Sequence, residues 1–130
     1  QTGSIDCERE VIKEILKDCR KNISAIIHCT GGGQTKVLHF TKKNRIIKDN
    51  LFDIPEVFNI IKSESGCSYE EMYNVFNMGH RMEIYCNKEY ADEIVEISKK
   101  YNVDAKVIGR VESADKKELI IDNNEEIICY

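Results

Sequence analysis

The chain predicts an α+β fold, with helices packed on a mostly antiparallel or mixed sheet, and three observations support this. Segments with apolar residues at helical spacing alternate with short runs that alternate in strand fashion. Most strand-like runs are separated by helical ones, which argues for layers of helix on sheet. Turn and cap residues punctuate the boundaries, above all Gly31-Gly32-Gly33, Gly66, Asn77 to Gly79 and Asn123-Asn124.

Taken in order, Asp6 is placed to cap a helix from Cys7 to Lys21 whose stripe is Val11, Ile12, Ile15, Leu16 and Cys19. Early Glu8, Glu10 and Glu14 and late Lys17, Arg20 and Lys21 suit its dipole. Ser24 to Cys29 reads as a short buried strand entering the glycine loop, and Thr35 to Phe40 as a brief helix beyond it, with His39 on its surface. Lys42 to Asn44 is a solvated turn, and Arg45 to Lys48 a short strand. Pro55 suits the first turn of a helix that Gly66 ends, with Val57, Phe58, Ile60 and Ile61 as its apolar side. Ser68 and Glu71 have capping-box spacing at the head of a helix to Phe76, in which Met72, Tyr73 and Phe76 are core. His80 to Cys86 follows as a strand, and Asn87 caps a helix from Lys88 to Tyr101 with Tyr90, Ala91, Ile94, Val95, Ile97 and Ser98 as its stripe. Val103 to Val111 is a strand bent near Gly109, and Leu119 to Ile121 pairs with Glu125 to Cys129 in a terminal hairpin across Asp122 to Asn124.

At 130 residues the length suits one domain spanning the chain, large enough to bury a core without disulfides. Lys and Arg total 19 against 23 Asp and Glu, so no excess positive field favours nucleic acid as a partner. Apolar runs stop at four residues, against roughly 18 for a membrane span. Nothing at the start resembles a signal peptide, and a cytoplasmic location is expected. The six cysteines include no C-x-x-C pair and form no recognisable ligand array with histidine, so they read as reduced packing residues and no metal site is expected. A nucleophilic Cys29 beside His28 is outweighed by its place at a buried strand end. Gln1 opens the chain without a methionine, and no nucleotide-binding signature is visible, so a longer parent protein is expected.

Two stretches carry chemistry: His28-Cys29-Thr30-Gly31-Gly32-Gly33-Gln34, and Glu71 to Arg81 with Asn77 and Gly79 at its helix break. Three glycines where a strand hands over to a helix let backbone N–H groups converge on an anion, because no Cβ blocks φ > 0. The residues alone leave a flexible turn that binds nothing equally open. Asn77 and Gly79 likewise admit a simple C-cap.

Together, His-x-Thr-Gly-Gly-Gly, Pro55 to Phe58, Glu71-Met-Tyr-x-x-Phe-Asn-Met-Gly79 and Ala105 to Val111 resemble, in order, the C-terminal domain of the phosphoribosylformylglycinamidine cyclo-ligase (aminoimidazole ribonucleotide synthetase) family. The resemblance runs from about Ile23 to Val111. It implies ATP-driven closure of formylglycinamidine ribonucleotide to aminoimidazole ribonucleotide, in which ATP turns the amide oxygen into a phosphate-like leaving group. It implies further that ATP and Mg2+ are held chiefly by an N-terminal domain absent from this chain, and that the full-length protein is a homodimer. Within that resemblance, Gly31, Gly32 and Gly33 with the Thr30 hydroxyl would hold the substrate's 5-phosphate, Asn77 would meet its amidine or amide, and Gly79 would let the chain pass close beneath. His28 would orient the loop or donate to phosphate, or sit as a satisfied, partly buried histidine. His80 and Arg81 stand where many members carry smaller or apolar residues, and Arg81 fits a structural ion pair. The Ser/Thr-Pro-Thr element usual before the first helix is missing from Gln1 to Asp6. Sister families acting on other substrates share the architecture. A non-catalytic ligand-binding or interaction module of the same fold is the alternative.

Overall fold

The computed structural model describes residues 5–130, which divide by internal contacts into two compact units, 5–26 with Ile84–Val107, and Ile27–Glu83 with Ile108–Tyr130. The chain is α+β, and its described residues form one two-stranded and one four-stranded sheet.

In the first unit, helix α1 (Ile5–Cys19) and helix α4 (Ala91–Lys100) pack their stripes against each other, although Leu16 of the expected α1 stripe stays exposed. Val11, Ile15, Cys19 and Ile94 form the centre, and Ile23, Ile84, Tyr90, Ile97, Tyr101 and Val103 surround it. Lys100 donates to Glu14 at 2.8 Å across the pair. Asp6 lies inside α1, so it does not precede the helix as a cap would. Asn87 also fails as a cap. Its side chain reaches Asn22 Oδ1 at 3.4 Å, and the chain first makes a 3-10 turn, Lys88–Tyr90, before α4 begins.

In the second unit, β2 (Asn44–Lys48) sits between β4 (Gly109–Ser113), antiparallel to it, and β5 (Glu118–Asp122), parallel to it, and β6 (Ile127–Cys129) completes the order β4-β2-β5-β6. The sheet is therefore mixed. Ile46, Leu119, Ile121 and Ile128 are buried on it. The strand expected over Val103 to Val111 begins only at Gly109, where a Cβ would lie 1.8 Å from the Ile47 carbonyl oxygen. Glycine is what lets the two backbones close.

Helix α2 (Glu56–Ser65) follows Pro55 and ends on Gly66 in the left-handed conformation. Its expected apolar side is only half covered, since Val57 and Ile60 remain exposed. Helix α3 (Tyr69–Val75) opens with a complete capping box between Ser68 and Glu71 and buries Met72 and Tyr73. Phe76 stacks obliquely on Phe58, ring centres 5.5 Å apart. The Tyr130 hydroxyl donates to Glu70 O and ties the C-terminus to α3. No helix among the described residues is long and apolar enough to cross a membrane.

Candidate functional site

Strands β1 (Ile23–His28) and β3 (Met82–Cys86) pair, and their ends deliver the two chemistry-bearing stretches. Cys29 N–H donates to Arg81 O at 2.6 Å, which sets the start of the glycine loop beside the start of β3. Gly31, Gly32 and Gly33 all have positive φ, at 46°, 99° and 48°. Their surroundings differ. A Cβ on Gly31 would meet nothing within 4 Å and one on Gly32 only the Lys36 stem at 3.8 Å, whereas one on Gly33 would lie 2.5 Å from Phe76 O and 2.7 Å from Tyr73 O. Gly33 is therefore a point of close backbone contact with the end of α3, and Gly31 and Gly32 form the open part of the loop.

A seven-residue 3-10 helix, Gly33–His39, follows in place of the brief helix expected from Thr35. The Thr35 hydroxyl stands 2.9 Å from Gly32 O and 2.7 Å from Asn74 Oδ1, and its single hydrogen serves one of them at a time. Lys36 Nζ donates to His28 O at 2.9 Å and brings a cation beside the loop. The side chains of His28 and Thr30 are exposed, so His28 is not the partly buried histidine that was one expectation. His39 is exposed as expected.

The second stretch folds into a tight turn. Met78 adopts φ 55° and is buried, Gly79 adopts φ 136°, and Gly79 N–H donates to Asn77 Oδ1 at 3.0 Å. A Cβ on Gly79 would press on Asp53 O at 3.2 Å, so this turn packs closely on the Asp53 backbone. Asn77 thus spends its carboxamide oxygen on the turn, and its Nδ2 donates to no group among the described residues.

Between these stretches lies a buried polar cluster that the sequence reading did not single out. Lys48 is 2 % exposed and uses all three ammonium hydrogens, on Gln34 O at 2.9 Å, Gln34 Oε1 at 2.8 Å and Glu83 Oε1 at 2.5 Å. Gln34 Nε2 donates to Asn77 O, and His80 Nε2 lies 2.8 Å from Glu83 Oε1. An ionised carboxylate only accepts, so His80 carries a hydrogen on Nε2. Burial pushes the Glu83 carboxyl upward, but the His80 hydrogen bond and the Lys48 charge outweigh it and hold the group at about 2. Burial, with the Glu83 charge behind it, pushes the Cys29 thiol up to about 12, which keeps it protonated and a poor nucleophile.

The fold also brings together a group that spacing along the chain did not reveal. Cys29 Sγ, a ring nitrogen of His80 and a Glu83 oxygen lie within 4.8 Å of one another. Lys48 already supplies the positive charge that Glu83 requires. The cluster does not fit Mg2+, which takes about six oxygen ligands, because it offers one carboxylate already held by an ammonium.

Residues 2–122 match the family described as AIR synthase related protein, C-terminal domain. The chain belongs to this family. Among cyclo-ligase-named relatives, it is 36% identical over 105 residues to phosphoribosylformylglycinamidine cyclo-ligase of Methanococcus vannielii, covering 80% of this chain and 30% of that protein. The protein of the same name in Methanopyrus kandleri is 32% identical over 114 residues, covering 88% and 32%, and that of Syntrophus aciditrophicus 35% over 111 residues, covering 82% and 32%. The chain thus spans about a third of the length of these relatives. Among solved structures, Escherichia coli HypE, a hydrogenase maturation protein, superposes with a TM-score of 0.63 at 20% identity, over 93% of this chain and 37% of that one. That likeness concerns the fold. Of the expected site residues, His28, Thr30 and Gly31 are exposed, Gly32, Asn77 and Gly79 are half-buried, and Gly33 is buried.

Proposed function

We propose that this chain is the C-terminal domain of a cytoplasmic, homodimeric phosphoribosylformylglycinamidine cyclo-ligase and forms part of its substrate cleft. The observation that carries the reading is the family match over residues 2–122 together with cyclo-ligase relatives at 32 to 36% identity. The open positions at Gly31 and Gly32 support it. Positive φ is a backbone conformation in which neighbouring N–H groups can converge on an anion, and Lys36 adds a cation, as a substrate phosphate requires. Thr30 and His28, both exposed, border the same loop. Asn77 Nδ2 is the donor toward the substrate amide or amidine.

ATP supplies the phosphoryl group that makes the amide oxygen a leaving group, and its Mg2+ is held by an N-terminal domain of the parent protein. This chain's own residues bind and orient the nucleotide, which contributes through positioning and through hydrogen bonds that need no reorganisation.

The test is Gly32→Val in the full-length protein. At φ 99° a β-branched residue is strained, and it would turn the loop amides off their target. Losing two charge-assisted bonds weakens formylglycinamidine ribonucleotide binding about a hundredfold, on the order of 3 kcal/mol. Thermal unfolding should register only the backbone strain of an L-residue at positive φ, about 1 to 3 kcal/mol, because a Cβ there meets no more than the Lys36 stem. Unchanged binding with collapsed stability would make the loop a structural turn.

A further inference from the structure

We infer that Gln34 and Lys48 are positioning residues that clamp the glycine loop to the Asn77–Gly79 turn, so that the two halves of the ligand surface are presented at one fixed spacing. The inference rests on the anion-loop reading above for its consequence and on geometry alone for the clamp. The bonds close a ring. Gln34 follows Gly33 in the chain and reaches Asn77 O through its amide, while its two oxygens accept from Lys48. Lys48 pairs with Glu83, Glu83 takes a hydrogen bond from His80, and the backbone from His80 through Gly79 and Met78 returns to Asn77.

No member of this ring needs burial for its own sake. A buried lysine–glutamate pair loses hydration on both charges and is commonly no more stable than an apolar pair of the same volume. What such a network adds is a preferred arrangement, because a shift of the loop or the turn breaks hydrogen bonds to the buried Lys48 and Glu83 charges. Gln34 and Lys48 are 1 % and 2 % exposed, so neither can meet the ligand directly. Their effect is exerted through the groups they hold.

Two measurements on the full-length protein test this. Hydrogen exchange at Thr35 N–H, which donates to Gly32 O, and at Gly79 N–H, which donates to Asn77 Oδ1, reports on the two stretches separately. In Gln34→Met, both amides should exchange at least about tenfold faster while α1 and α4 amides keep their rates. Affinity for inorganic phosphate, which touches the loop alone, should change less than about threefold, whereas formylglycinamidine ribonucleotide, which spans loop and turn, should bind about tenfold or more weakly. If Gln34→Met does not fold, the double variant Lys48→Met/Glu83→Gln, which removes both charges together, decides with the same split. Unchanged exchange at either amide overturns the clamp, as does failure of both variants to fold, which would make the network purely structural. Faster exchange at both amides with no change in nucleotide affinity would support the clamp and sink the anion-loop reading.

Discussion

Gly31 and Gly33 are two positions apart and do different work. Alanine at Gly31 adds only the cost of a left-handed L-residue, about 1 kcal/mol, because nothing lies within 4 Å of the new carbon. Alanine at Gly33 drives a methyl to 2.5 Å from Phe76 O, and the end of α3 must move, at a cost of roughly 3 kcal/mol or more. Denaturant titration of the two variants should separate them clearly; equal losses would contradict the placement of the loop. Glu83 makes a second residue-scale prediction. Its carboxyl is held at about 2 against an ordinary 4.5, so the folded state binds its proton less readily than the unfolded state. That stabilisation, roughly 3 kcal/mol, is complete above about pH 4.5 and lost as the pH falls through about 2. Glu83→Gln should flatten this acid limb in thermal unfolding followed from pH 5 to pH 2, and an unaltered limb would count against the pairing. Neither Lys48 nor Glu83 stands out in the sequence, because charged residues in short strands ordinarily mark the solvent face. The available signal was phase: Lys48 is two residues from buried Ile46 and shares its face, as period two requires.

Elements with a local chemical signature were legible, and those determined by distant backbone were not. Ser68 and Glu71 announce the start of α3 by spacing alone, and both halves of the box form. Ser68→Ala should cost about 1 kcal/mol in chemical denaturation, and Glu71→Ala a similar amount. An effect within 0.3 kcal/mol of zero would mean that α3 is held by Met72 and Tyr73 alone. Pro55 and Gly66 bound α2 just as openly, and the turn at Asn123 and Asn124 announces the pairing of β5 with β6. The start of β4 had no such mark. Gly109 looks like a bend in a longer strand until the Ile47 carbonyl is seen 1.8 Å from where its Cβ would be. The loop and turn of the site were legible because glycines and Asn77 interrupt periodic segments. The clamp joining them was not, since apart from the local His80–Glu83 bond its bonds run between residues 14 to 43 positions apart.

At the scale of the whole chain, a net charge of −4 and a third of a relative's length frame one last expectation. Among the described residues, the one cluster of potential metal ligands consists of a protonated thiol, an imidazole and a carboxylate already neutralised by Lys48. A nucleoside triphosphate with Mg2+ requires a different surface, with oxygen ligands for the ion and positive charge for three phosphates. The chain by itself should therefore bind inorganic phosphate weakly at the glycine loop and show no ATP hydrolysis above background. Adding formylglycinamidine ribonucleotide should leave that rate unchanged. Joining the chain to the rest of a cyclo-ligase should restore turnover, and Gly32→Val should abolish most of the gain. Steady ATP-dependent ring closure by the 130-residue chain alone would place the phosphoryl-transfer machinery here and overturn the proposed division of labour.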